Sequence, residues 1–373
     1  MSIHEEDYQN AKDVVLRFGA YVRVLTYSGF LIQYCSRADL ERFMRRYKFG
    51  GTVLKRDKFR CHVGLAFDRL QMQHATQIAT LKSNEHVARL NFLLQRVPNL
   101  LEIRLTPEQS LKALSTIRRR PIEKCEIENG VSSYRIHLNF GFSPSHSSDD
   151  DGTSRAFHTV VQAWPRGSSI KLKTLDAMHT GGNVAEYGIS NTAFELRLDA
   201  LQKLSTIFET LTDLKLNLVS NSSGPCSMVC ILSATRNLEH LALDHLPADD
   251  EDSYVDLLST LGRRGLPKLR SLALHFFQST EDELVDFLLR TKIEHLNLHG
   301  YDITKGSWEN FAERTKGSLP LKSIELVEIN AGPYGEDWPL TGEMGVLLAF
   351  FYFRDWPNPF SEEMLAIYDD DCR

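Results

Sequence analysis

LTDLKL (211–216), LEHLAL (238–243), LRSLAL (269–274), IEHLNL (293–298) and LKSIEL (321–326) spell one phrase five times: apolar-x-x-apolar-x-apolar. The copies start at Leu211, Leu238, Leu269, Ile293 and Leu321, so successive spacings are 27, 31, 24 and 28 residues. An earlier copy, LLEIRL (100–105), shares the flanking grammar as well, since PNLLEIRL matches RNLEHLAL and PKLRSLAL. Apolar residues two apart point to the same face of an extended chain. One such strand cannot bury its apolar face alone, so a recurrence every 20 to 30 residues predicts stacked strand-plus-helix units. The fold class read from this pattern is α/β: an irregular leucine-rich-repeat solenoid, with parallel strands on the concave side and helices on the convex side.

The segments between copies carry helix signals. SYVDLLSTLGRRG (253–265) ends on Gly265, a C-cap residue, and QSTEDELVDFLLR (278–290) offers Thr280 and Glu283 as a capping box ahead of Leu284, Phe287 and Leu288. DITKGSWENFAERTKG (302–317) places Trp308 and Phe311 three apart. Upstream, Thr192 and Glu195 read as a cap for a helix lined by Phe194, Leu198, Leu201, Leu204 and Phe208. Helices of this length between strands require parallel pairing.

The first half is less regular. YVRVLTYSGF (21–30) predicts a strand, ADLERFMRRY (38–47) a helix, and HATQIATLKSNEHVARLNFLLQRV (74–97) a helix leading into the 98–105 strand. IEKCEI (122–127) and YRIHLNF (134–140) predict further strands, and IKLKTLDAM (170–178) a degenerate copy. The domain reading is therefore irregular N-terminal repeats over 1–142, a mobile acidic and Ser-rich loop over 143–156, the main repeat region over 157–338, and a C-terminal cap and tail over 339–373. The loop, SPSHSSDDDGTSR (143–155), has no apolar anchor, and GVLLAFFYF (345–353) suits a helix that covers the open end of the sheet.

Composition narrows the class. The chain has 373 residues, 42% hydrophobic and 25% charged, the balance of a well-cored protein. A net charge of −6 argues against nucleic acid, which favours a basic face. The acidic, polar start MSIHEEDYQN is not a secretory signal, and no apolar run approaches the roughly 20 residues that span a bilayer. A cytoplasmic or nuclear location with no membrane contact is expected. The six cysteines lack C-x-x-C spacing and read as free core thiols. GxGxxG, a complete P-loop, GxSxG and HExxH are all missing, so no catalytic residue, metal or cofactor is assigned. The basic run RRRPIEK (118–124) and the acidic PADDED (247–252) read as solvated surface.

The positions between the repeat leucines point to the concave face, where any partner must bind. They form three columns: Asp213, His240, Ser271, His295 and Ser323; then Lys215, Ala242, Ala273, Asn297 and Glu325; then Asn217, Asp244, His275, His299 and Val327. Adjacent strands lie about 4.8 Å apart, so neighbours within a column can act together. The small Ala242 and Ala273 leave a shallow floor for a partner side chain. The Asp244, His275 and His299 row offers a carboxylate beside two imidazoles, a combination that a divalent metal can use. Ligands on a flat ladder splay, however, which favours a polar partner-binding face.

The cadence of YVRVLTY (21–27), PNLLEIRL (98–105) and TRNLEHLALDHLP…LPKLRSLALHFF…KIEHLNLHGYDIT resembles the repeat region of the F-box and leucine-rich-repeat proteins expanded in filamentous fungi. The resemblance implies a substrate receptor of a cullin-type ubiquitin ligase, docked on the ligase adaptor through an N-terminal F-box. An F-box opens with Leu-Pro and an acidic residue before about forty helical residues. Here the first proline is Pro98, so the F-box itself is expected to be missing from this chain. A scaffold with no ubiquitin role is the alternative, and a metal-dependent enzyme using the Asp244, His275 and His299 row is a distant third.

Overall fold

The repeated phrases lie side by side as neighbouring strands of one parallel sheet. The computed structural model describes residues 5–29, 37, 38, 41, 56–106, 152–178, 188–194, 196–219, 232, 235–246, 257–329, 348, 351–354, 356–361 and 364. The sheet has nine strands: β1 (Val24–Ser28), β2 (Glu102–Thr106), β3 (Thr174–Ala177), β4 (Ile189–Ser190), β5 (Asp213–Val219), β6 (His240–Leu246), β7 (Ser271–His275), β9 (His295–His299) and β11 (Ser323–Val327). Their order follows the chain from β1 to β11, with the two-residue β4 set on the side of β5. Two further strands, β8 (Gln278–Thr280) and β10 (Asp302–Lys305), pair with each other as a small parallel sheet.

Equivalent positions of the phrase pair without slip. Leu214, Leu241, Leu272, Leu296 and Ile324 are register partners, as are Leu216, Leu243, Leu274, Leu298 and Leu326. All ten are buried, and each fully buried leucine contributes about 1.5–3 kcal/mol over leaving it in water. The same backbone bridge precedes every strand of the nine except β1 and the two-residue β4. The carbonyls of Arg23, Leu101, Lys173, Thr212, Glu239, Arg270 and Glu294 each accept two consecutive N–H groups at the start of the next strand. The irregular first half is thus joined to the repeats by identical chemistry. IKLKTLDAM does supply a strand, β3, and YVRVLTY supplies β1.

Helices cover the leucine side. They are α1 (Glu5–Phe18), α2 (Arg56–Lys82), α3 (Glu85–Leu94), α4 (Gly152–Ala163), α5 (Leu198–Phe208), α6 (Leu257–Arg264), α7 (Glu281–Thr291) and α8 (Trp308–Thr315). Phe157, Leu204, Leu261, Phe287 and Phe311 enter the same apolar core as the strand leucines. The capping box of α7 is complete: Glu283 N–H donates to Thr280 Oγ1, and Thr280 N–H donates to Glu283 Oε2. Gly265 closes α6 at φ 74°, its N–H donating to the Leu261 carbonyl.

Several expectations need correction. The 74–97 stretch is two helices, broken at Ser83 and Asn84, where Asn84 takes a left-handed φ of 54°. The expected loop at 143–156 overlaps α4, which starts at Gly152 and buries Thr153 and Ala156. Two apolar turns face the core there, and these outweigh the polar composition of the residues before them. The helix before β5 starts at Leu198, which is exposed, and its N-cap Arg197 makes no side-chain cap bond. Thr192 sits in a separate 3-10 turn, Asn191–Phe194, and Glu195 lies outside the described residues. DITK is strand rather than helix approach, because Tyr301 plugs the core and donates to Ser279 Oγ, tying β10 to β8.

The strands expected at 122–127 and 134–140, the basic run, PADDED and most of 38–47 lie outside the described residues. From the C-terminal segment, Leu348, Phe351 and Phe360 join the core. Tyr352 shares a 2.6 Å hydrogen bond with Thr315, and Asn358 Nδ2 donates to the Glu309 carbonyl, both on α8. Among the described residues no helix is long and apolar enough to cross a membrane.

Leu274→Ala should lower the free energy of unfolding by about 2–5 kcal/mol, whereas Ala273→Ser beside it should stay within about 0.5 kcal/mol. Urea denaturation of the three proteins measures this. A Leu274→Ala loss below about 1 kcal/mol would contradict the assignment of that leucine to a tightly packed rung.

Candidate functional site

The three columns read from the sequence exist in the register. Asp213, His240, Ser271, His295 and Ser323 are successive strand partners; so are Lys215, Ala242, Ala273, Asn297 and Glu325, and Asn217, Asp244, His275, His299 and Val327. In the first column His295 Nδ1 and Ser323 Oγ share a 2.8 Å hydrogen bond, and Thr212 Oγ1 donates to Asp213 Oδ2. In the second, Asn297 Nδ2 donates to Glu325 Oε2 at 2.8 Å, and the two alanines lie side by side. Lys215, His240, His295 and Glu325 are exposed; Asp213, Ser271 and Asn297 are half-buried.

The third column departs from a simple open face. Asn217 is fully buried, and among the described residues neither Oδ1 nor Nδ2 of its amide has a hydrogen-bond partner. Beside it, Asp244 keeps 13% of its side chain exposed; Oδ1 has no partner among the described residues, and Oδ2 lies 3.7 Å from His275 Nδ1, beyond hydrogen-bonding range. The next imidazole, His299, has its ring centroid 5.5 Å from that of His275. His299 Nε2 donates to Glu328 Oε2 at 2.9 Å. Side-chain exposure rises along this row, from Asp244 through His275 at 23% and His299 at 33% to Glu328 at 64%. The row is deep at its β5 end and open at its β11 end.

The chain leaves β7, β9 and β11 through equivalent residues, Phe276, Gly300 and Glu328, at φ values of 60°, 58° and 52°. Only glycine adopts this region without steric cost; phenylalanine there is an outlier. Gly300 is required twice over, because a Cβ at this position would also come within 2.4 Å of the Phe276 ring. Phe276 is 39% exposed, and its ring lies 5.2 Å from the His299 ring. Backbone bonds hold the turn: Phe276 N–H donates to the His299 carbonyl, and Gly300 N–H to that of Val327. Glu328 turns back through its own left-handed residue to reach His299.

On β6 the residue at the equivalent exit position is His245. It is buried, and its Nδ1–H donates to the Phe276 carbonyl at 3.2 Å. Burial holds its pKa below the ordinary histidine value, against the opposing pull of that carbonyl and of Asp244. Burial also lowers His86, whose Nδ1–H donates to the Thr80 carbonyl.

The columns were legible from period-two alternation. Asn217 is the exception: it was expected on an accessible face and is buried. Phe276, Glu328 and His245 were missed. Phe276 extends the apolar alternation past the strand end, and nothing in its identity announces a left-handed φ. Among the described residues, no three His, Cys, Asp or Glu side chains come together to hold a metal ion. The rungs keep Asp244, His275 and His299 side by side rather than converging. No protein-family model matches the chain, and no curated protein matches it.

Because His245 and His86 are neutral in the fold but protonate more readily in the unfolded chain, their contribution to stability is complete above about pH 6.5. It declines as pH falls from there toward the lowered folded-state values. Urea midpoints at pH 7.5 and 5.5 should therefore differ more for the wild type than for His245→Gln. Equal pH dependence in the two proteins would show that His245 is not linked to folding.

Proposed function

We propose that this chain is a non-catalytic protein-interaction module built as an irregular leucine-rich-repeat solenoid, with the strand face as its binding surface. One observation carries the reading: the slip-free register, which aligns the residues between the leucines of five successive strands, most of them polar, into three columns on one side of the sheet. Strands and helices hide the leucines, and the columns remain as a wide polar surface with a shallow Ala242 and Ala273 floor. Such a surface suits a protein partner better than a small molecule, which needs a concave, largely apolar enclosure.

The resemblance of the repeats to F-box and leucine-rich-repeat proteins supports a more specific role, the substrate-recognition part of a cullin-type ubiquitin-ligase receptor. On that reading the partner on the face is the ligase substrate, and contact with the ligase adaptor requires an F-box. A scaffold with no ubiquitin role uses the same face in the same way.

Ala242→Arg/Ala273→Arg places two long cations on the floor without touching a core leucine. Affinity capture with this variant, compared with the wild type and with its folding checked by circular dichroism, should lose the partner. Recovery of the same partner by both proteins would overturn the assignment of this face. Recovery of a cullin adaptor from the native source would favour the ligase role over the scaffold.

A further inference from the structure

We propose that the outward stripe of helix α1, formed by Asp13, Val14, Arg17, Phe18 and Tyr21, is a self-complementary interface through which two copies of this chain associate as an antiparallel, two-fold dimer.

The place of α1 in the fold leaves this stripe uncovered. β1 is the terminal strand of the nine-stranded sheet, and α1 is the helix before it. Tyr8, Ala11, Lys12 and Val15, with Gly19 in the turn that follows, hold α1 to the body at helical spacing. Lys12 lies over the Phe92 ring at 5.8 Å and Arg89 over the Tyr8 ring at 5.1 Å, so this side of α1 faces α3. Asp13, Val14, Arg17, Phe18 and Tyr21 fall about half a turn away, and all five are exposed. Phe18 is 56% exposed and Tyr21 80%. With Leu16 and Val24 beside them, the chain shows solvent five large apolar side chains between positions 14 and 24. End units of a solenoid expose apolar surface unless something covers it, and a patch this dense marks an interaction surface.

Charge selects the occupant. Asp13 and Arg17 stand four residues apart, the spacing at which Arg89 pairs with Glu85 and Arg290 with Asp286. Among the described residues, neither Asp13 nor Arg17 makes an ion pair. Two α1 helices packed antiparallel, with the two-fold axis midway between these residues, set Asp13 opposite the partner's Arg17 twice over. Val14 and Phe18 then meet their counterparts between the two ion pairs. A parallel, in-register packing would set acid against acid and base against base. The pattern therefore specifies an isologous contact, which closes on itself rather than growing into a filament. One acid and one base also leave the stripe neutral, without the cationic face that draws a helix to anionic lipid.

A single-helix contact is small beside the about 1,600 Å² of a standard interface, so the dimer is a weak, concentration-dependent one. Because the helices cover the leucine side of the sheet, pairing through α1 leaves both strand faces open and presents two of them together.

Sedimentation velocity on the full chain, from micromolar to submillimolar concentration, should show the mass rising to twice that of one chain. Phe18→Ser should weaken the dimer at least tenfold with an unchanged circular dichroism spectrum. Asp13→Arg and Arg17→Asp should each do the same, because each places like charges opposite one another. An equimolar mixture of these two charge variants should re-form a dimer, now mixed, within about threefold of the wild-type dissociation constant. That rescue separates antiparallel pairing from general stickiness or a folding defect, neither of which mixing repairs. A wild-type chain that stays monomeric throughout overturns the proposal, whether or not lipid vesicles or another protein bind the patch. So does a dimer unaffected by Asp13→Arg, or a mixture that associates no more tightly than its components.

Discussion

Slip-free pairing between equivalent residues of successive strands is the constraint on which the rest of the structure depends. Each strand presents two or three apolar side chains on one face, too few to form a core alone. Pairing in register stacks Leu214 on Leu241, Leu272, Leu296 and Ile324, and a shift of one residue would move every one of them to the opposite face. The doubled backbone bridge at each strand start, from the Arg23 carbonyl to that of Glu294, holds this alignment before the side chains engage. It is independent of side-chain identity, so the less regular copies at β2 and β3 obey it as well as the clear ones do.

The same constraint shapes the polar face. Once the leucines are aligned, the residues between them are aligned too, and their chemistry accumulates in columns without further design. Ala242 next to Ala273 makes a floor, Asn297 next to Glu325 makes a hydrogen bond, and Asp244 next to His275 makes a close but unbonded pair. The strand exits add what alternation alone does not. Left-handed residues at 276, 300 and 328 turn the chain sharply, bringing Phe276 and Glu328 against His299. A buried carboxylate elsewhere behaves differently: Glu281 accepts from Ser307 N–H and from Arg314, so its charge is matched inside the fold. Among the described residues, Asn217 and Asp244 Oδ1 have no such matching.

The sequence by itself determined the parallel α/β sheet, the five clear strands, the capping box of α7 and the membership of each column. These follow from period-two alternation and from local capping chemistry, which act over a few residues and leave their mark in residue type. Only the tertiary structure decided that Asn217 is buried, that 74–97 breaks at Asn84, and that DITK pairs as a strand with 278–280. It also decided that α4 starts at Gly152, where burial of Thr153 and Ala156 outweighs a polar composition. For DITK and for α4 the structure shows the distant contact: Tyr301 donates to Ser279, and Arg155 donates to the Gly29 carbonyl. The exit turns make the same point: Phe276 keeps a φ it does not favour because His299, Gly300 and His245 hold it there, and those contacts exist only once the strands are stacked.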